Sequence, residues 1–194
     1  MTNSPSGKIR LLTPAQPKDL GEALYKAFME AIYVLFQQGY TISGLKLLLS
    51  ALDTMAFLTT GNGNSGTEFK AWLAKYVDLE SVGIDADELW AHRSALLHMT
   101  NFHSKSVNKG AVKFLIPALR EAPQEFKDPV KSKIDALYGT NYKFYSVQKL
   151  FEAVFVGFDI FLAEIDSNHD LKAVVISSFG EVVPDIPIAV TRTR

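Results

Sequence analysis

The chain has 194 residues, 20 of them Lys or Arg and 21 Asp or Glu, for a formal net charge of -1, and it contains no cysteine. That length suits one domain that buries roughly two thirds of its unfolded surface without a metal or disulfide staple. The missing thiols exclude disulfide scaffolds, thiol catalysis and Cys-type zinc sites, and the even charge balance excludes a general nucleic-acid coat, which needs clustered Lys and Arg.

Residues 1–16, rich in Ser, Thr and Pro without periodicity, are expected to be a flexible arm, and residues 17–194 a single helical domain. The first residues lack the apolar core of a signal peptide, and with the absence of cysteine this suits a cytoplasmic setting. From Pro17 to Gln38 the residues Leu20, Leu24, Phe28, Ile32 and Leu35 recur at helical steps, and Gly39 is placed to end the helix. Thr41–Leu58 is a second helix, rich in Leu and Ala. Apolar runs such as Ala27–Phe36 and Ala153–Leu162 are too short or too charged to cross a bilayer, so no membrane insertion is expected.

The segment Gly61–Gly66 spells G-x-G-x-x-G, but a helical run precedes it where a dinucleotide site requires a strand. It reads as a loop, with Ser65 and Glu68 as a capping box for the next helix. Phe69, Trp72, Leu73, Tyr76 and Val77 give that third helix an apolar stripe. Asp85 and Glu88 form a second capping box, opening a fourth helix that runs to about Met99. Asn101–Lys109 is a polar loop. Val112–Ile116 is expected to be a short strand before Pro117, although a helix fits so short a run as well. Pro129 and Gly139 bracket a short helix. Ser146–Ile165 is the last long helix, and the β-branched stretch Ala173–Ser178 is expected to be extended and to complete a small sheet with Val112–Ile116. The fold class expected is mainly α, a bundle of four or five helices with at most a small peripheral β element.

The fourth helix holds an anomaly. At about 100° per residue, with Leu89 set at zero, Trp90, Leu96 and Leu97 fall at about 100°, 340° and 80°, and Arg93 falls at about 40°, the middle of that apolar arc. An arginine there is costly unless its charge is paired and its donors satisfied. Asp53, at the edge of the second helix's apolar face beside Lys46 and Ser50, is the natural partner. Either Arg93 is a structural ion pair or its stripe faces a cleft where the guanidinium meets an anion. His98, five residues on, reads either as a histidine at the negative end of a helix dipole or as a general acid or base. Glu88 and His92, spaced four apart, lack the companion ligands of a zinc site and read as a surface hydrogen bond. No nucleophile-elbow sequence accompanies the Ser, His and Asp residues. No metal or cofactor is expected.

Arg93-Ser94-Ala95-Leu96-Leu97-His98, with the upstream helix Gly44–Asp53, resembles the R-x4-H helix and the acid-bearing helix of the HEPN superfamily (higher eukaryotes and prokaryotes nucleotide-binding). The resemblance spans Leu20–Thr100 and the last long helix. It implies a helical bundle, commonly a homodimer with two Arg/His pairs facing each other. Many members are metal-independent endoribonucleases of toxin–antitoxin, abortive-infection or CRISPR systems. On that likeness Arg93 would hold the scissile phosphate and His98 would transfer protons. Asp53, Ser94 and Asn101 would support them, with His103, Lys105 and Lys109 as candidate phosphate contacts. RNA and an antitoxin or regulatory protein are the partners implied. Where Asn, Asp or His often follows the arginine, this chain has Ser94, and the family also includes members that only bind. The alternative is therefore a non-catalytic helical interaction or nucleotide-binding module in which Arg93 is a structural buried ion pair.

Overall fold

The computed structural model describes residues 19–61, 66–99, 107, 109–119, 131–136 and 141–182. The expected N-terminal arm 1–16, the cap residue Ser65, the bracketing Pro129 and Gly139, and Asn101, His103 and Lys105 lie outside them. The described fold is mainly helical, with one small parallel sheet of two strands.

Asp19 opens helix α1 (Leu20–Leu24) by accepting the Glu22 N–H at 2.8 Å. The helix passes through a π turn (Tyr25–Met29) into α2 (Glu30–Gln37). Gly39, at φ 77°, makes the left-handed exit that a side chain would strain. Helix α3 (Thr41–Thr60) follows and ends on Gly61 at φ 64°. It is the central element, packed against α2, α4 (Gly66–Tyr76) and the last two helices. Its buried residues, among them Leu45, Leu48, Leu52, Met55 and Ala56, form one broad face, while Ser43, Leu47 and Ser50 on the opposite side are exposed. Among the described helices α3 alone is long and apolar enough to cross a bilayer, and half of its most apolar 18-residue stretch is buried by its neighbours.

Helix α5 (Ala86–Ser94) starts at the expected capping box: the Asp85 side chain accepts from Glu88 N, and the Glu88 side chain accepts from Asp85 N. It runs into a second π turn (Ala95–Met99). Strand β1 (Phe114–Ala118), a short helix α6 (131–136), strand β2 (Tyr142–Ser146), and helices α7 (Val147–Ser167) and α8 (His169–Val182) complete the described chain. The α4–α7 crossing is very close. A Cβ on Gly157 would stand 2.6 Å from the Tyr76 carbonyl oxygen, so only glycine fits there.

Three expectations are corrected. Ala173–Ser178 is not extended but lies inside α8. Asn168 caps that helix by accepting from Leu171 N at 3.0 Å, and Val175 and Phe179, four apart, are fully buried. Tertiary burial at helical spacing outweighs the β preference of Val174, Val175 and Ile176, which is weak and context-dependent. The sheet partner of β1 is therefore β2, paired in parallel with Phe114 opposite Tyr142. Strand β1 itself sits two residues later than expected and runs through Pro117. The Phe114 N–H reaches the Asn141 carbonyl, so alternate residues 114, 116 and 118 face β2, and the missing N–H of Pro117 falls on the outer edge where no ladder bond is lost.

Candidate functional site

Arg93 stands in the last turn of α5 and Asp53 in the middle of α3. The two side chains are joined as their helical positions suggest. Arg93 Nε donates to Asp53 Oδ2 at 2.6 Å, and Arg93 Nη2 donates to the same oxygen. Both side chains are largely withdrawn from solvent, at 14% and 12% exposure. The guanidinium carbon also lies 5.0 Å from the centre of the Trp90 ring, one turn earlier on the same face. Asp53 Oδ1 is buried with no hydrogen-bond partner among the described residues. Arginine is the cation suited to such a place, because its charge persists when desolvated and its planar fork stays ordered.

His98 lies in the π turn that directly follows α5. Its backbone is described and its side chain is not. In a regular α-helix, positions 93 and 98 would lie about 140° apart. A π turn closes on the fifth residue instead of the fourth, so it turns less per residue and brings position 98 toward the face of position 93. Ser94, the last residue of α5, is half-buried, and Lys109 is exposed in the turn before Gly110. Among the described residues no group of three His, Asp or Glu is arranged to hold a metal ion.

The other side of α5 holds a cluster that the sequence reading misplaces. Glu88 and His92 are not a surface pair: they are 4% and 2% exposed and turn toward β2. Lys143 Nζ donates to Glu88 Oε2 at 2.7 Å, and the Tyr145 hydroxyl and His92 Nε2 share a hydrogen bond of 3.1 Å. The match is geometric. Four residues of helix rise about 6 Å and two residues of strand about 6.6 Å, so residues i and i+4 of α5 meet i and i+2 of β2. Burial lowers the His92 pKa to about 4 and raises that of Tyr145, so both are neutral at neutral pH. The alternation of Tyr142, Lys143, Phe144 and Tyr145 was the available signal, hidden by the shortness of the run.

No protein-family model, no curated protein and no solved structure matches this chain.

Proposed function

We propose that this chain is a metal-independent endoribonuclease of the HEPN kind, a cytoplasmic arm of a toxin or defence system held in check by an antitoxin or regulatory protein. The observation that carries the reading is the π turn behind Arg93. It draws the backbone of His98 toward the face of the arginine, which is what a five-residue spacing needs if both side chains are to serve one phosphodiester. π turns of this kind recur at functional sites because they carry a cost in regular helix geometry.

In this reading Arg93 binds the phosphate through charge-assisted hydrogen bonds. His98 takes the proton from the ribose 2′-hydroxyl, the 2′-oxygen bonds to phosphorus, and the bond from phosphorus to the 5′-oxygen breaks. His98 of a second copy returns a proton to that leaving oxygen. The products are a 2′,3′-cyclic phosphate and a 5′-hydroxyl. One histidine cannot be base and acid in the same step, so a homodimer with its two-fold axis near α5 is part of the proposal. Asp53 orients Arg93, Ser94 and Asn101 support the pair, and His103, Lys105 and Lys109 guide the backbone of single-stranded RNA.

The test is incubation of purified protein with single-stranded RNA in EDTA. Wild type is expected to release cyclic-phosphate ends and to leave DNA intact. His98→Ala should lower the rate by about 10²–10⁴-fold, and Arg93→Lys should lose most of the activity. Persistence of cleavage in His98→Ala, its loss with EDTA, or a strict monomer at micromolar concentration would sink the mechanism. A second reading, a non-catalytic helical interaction or nucleotide-binding module, draws support from the close engagement of Arg93 by Asp53. Clean wild-type protein that cuts no RNA would make that reading the better one.

A further inference from the structure

We propose that the segment Lys8–Leu12 of this chain docks in the groove between α7 and the turn after α4, with Ile9 and Leu11 on Val156 and Ile160 and with Lys8 and Arg10 over the acidic rim. The inference stands apart from the nuclease reading and uses none of its residues.

The groove, about 440 Å³ in volume, is built on fixed walls. Tyr76 lies in it at the α4–α7 crossing, and its hydroxyl donates to Glu164 Oε2 at 3.1 Å. One wall is an ordered turn: Ser81 N donates to Asp78 Oδ1 at 3.2 Å, and Ser81 Oγ donates to the Asp78 carbonyl at 2.9 Å. The other wall is α7, where Val156 and Ile160, one turn apart, are 60% and 50% exposed. Covering them removes apolar surface from water, which is favourable. Asp78 and Glu152 line the same groove, with Lys149 beside Glu152, and Asp159 stands on the exposed face of α7. None of the three acids forms an ion pair among the described residues. An apolar wall under such a rim suits an apolar occupant that carries positive charge. Lys8-Ile9-Arg10-Leu11-Leu12 has that chemistry. In extended backbone Ile9 and Leu11 point to one side about 6.6 Å apart, which matches the rise of about 6 Å between Val156 and Ile160. Lys8 and Arg10 alternate with them, and their long stems reach the rim. The tether is long enough. A Cβ on Gly21 would stand 3.9 Å from Leu162, so the chain enters α1 beside α7. From Leu162 to Val156 is about 9 Å along that helix and about 12 Å around it, across the exposed Asp159 and Ala163. The stretch from Leu11 to Asp19 spans about 25 Å when extended, and Pro14 and Pro17 within it favour extended backbone. Such a tether gives an effective concentration on the order of millimolar, so a short apolar contact suffices.

The experiment is methyl nuclear magnetic resonance on the full-length protein labelled at Ile, Leu and Val. Nuclear Overhauser contacts are expected from Ile9 and Leu11 to Val156 and Ile160, and a mixture of differently labelled copies should show them within one chain. Leu11→Asp should abolish the contacts and move the Val156 and Ile160 methyls, while the core methyls of Leu48 and Leu52 stay in place. Val156→Asp, at an exposed position, should release Ile9 and Leu11 in the same way. Lys8→Glu combined with Arg10→Glu should raise the undocked-to-docked ratio about tenfold, the scale of reversing two exposed charge contacts, and added salt should shrink that effect. Absence of these contacts in wild type overturns the proposal. So do contacts found only between copies, which would give the groove to a second chain, and a docked population indifferent to Leu11→Asp or to the double charge reversal.

Discussion

On one side of α5, Glu88 meets Lys143 of β2; on the other, Arg93 meets Asp53 of α3. Both contacts join the helix to a neighbour through opposite charges, and each has a carboxylate withdrawn from water. They differ in how completely those charges are answered. Glu88 Oε2 accepts from Lys143 Nζ and from the Asp85 backbone N–H, so the carboxylate caps the helix and anchors a strand. Asp53 uses one oxygen for both Arg93 donors, and its other oxygen is buried without a partner among the described residues. A buried oxygen left unanswered costs about 1–3 kcal/mol. The Asp53–Arg93 pair is thus the less completely satisfied of the two carboxylate contacts, which supports reading it as the proposed site.

The largest expected effect tests that contrast directly. Arg93→Met strands a buried Asp53 charge and should destabilise the protein by about 3–5 kcal/mol in urea unfolding. Adding Asp53→Leu should restore stability to within about 1 kcal/mol of wild type, since a packed apolar pair often replaces a buried ion pair without loss. The double variant should stay folded and bind no phosphate. A double variant as unstable as the single one would make the pair structural and erase the contrast.

Next comes pH, on the Glu88 side of the helix. His92 titrates near 4 in the folded protein and near its ordinary 6.5 when unfolded. Between those values the unfolded chain binds the extra proton, so stability is full above about pH 6.5, falls as the pH drops, and levels off below about 4. The loss across that window is about 3 kcal/mol, and His92→Phe should flatten this part of the profile. An unfolding curve with the same slope in wild type and His92→Phe would remove His92 as the cause.

Smaller effects sharpen the picture. Tyr145→Phe takes away the hydroxyl that meets His92 Nε2 and should cost about 1–2 kcal/mol by thermal unfolding, without altering phosphate binding. Glu88→Gln keeps a capping side chain and a neutral acceptor for Lys143, whose 28% exposed ammonium can turn to water, so its cost should be about 1–2 kcal/mol, below that of Arg93→Met. A larger loss from Glu88→Gln than from Arg93→Met would reverse the assignment of the two pairs.

Much of this arrangement is legible in the chain itself. The periodicity of Leu20 to Leu35, the run Thr41–Thr60, the Asp85/Glu88 box and the stripe from Leu150 to Ile165 mark helices, because side chains three and four apart share a face whatever else the fold does. The placement of Arg93 in its apolar arc and the choice of Asp53 as its partner follow from the same angular rule. The π turn does not, since its i→i+5 closure has no residue signature, and it alone changes the angle between positions 93 and 98. Nor do the β elements. A strand of five residues depends on a partner found elsewhere along the chain, so local pattern alone neither marks Tyr142–Ser146 as a strand nor excludes Ala173–Ser178 as its substitute. Local periodicity is a property of neighbours in sequence, and the sequence determined it. Which face of α5 meets Lys143 and Tyr145 and which buried oxygen goes unanswered depend on distances between segments far apart in sequence, and only the tertiary structure decided them.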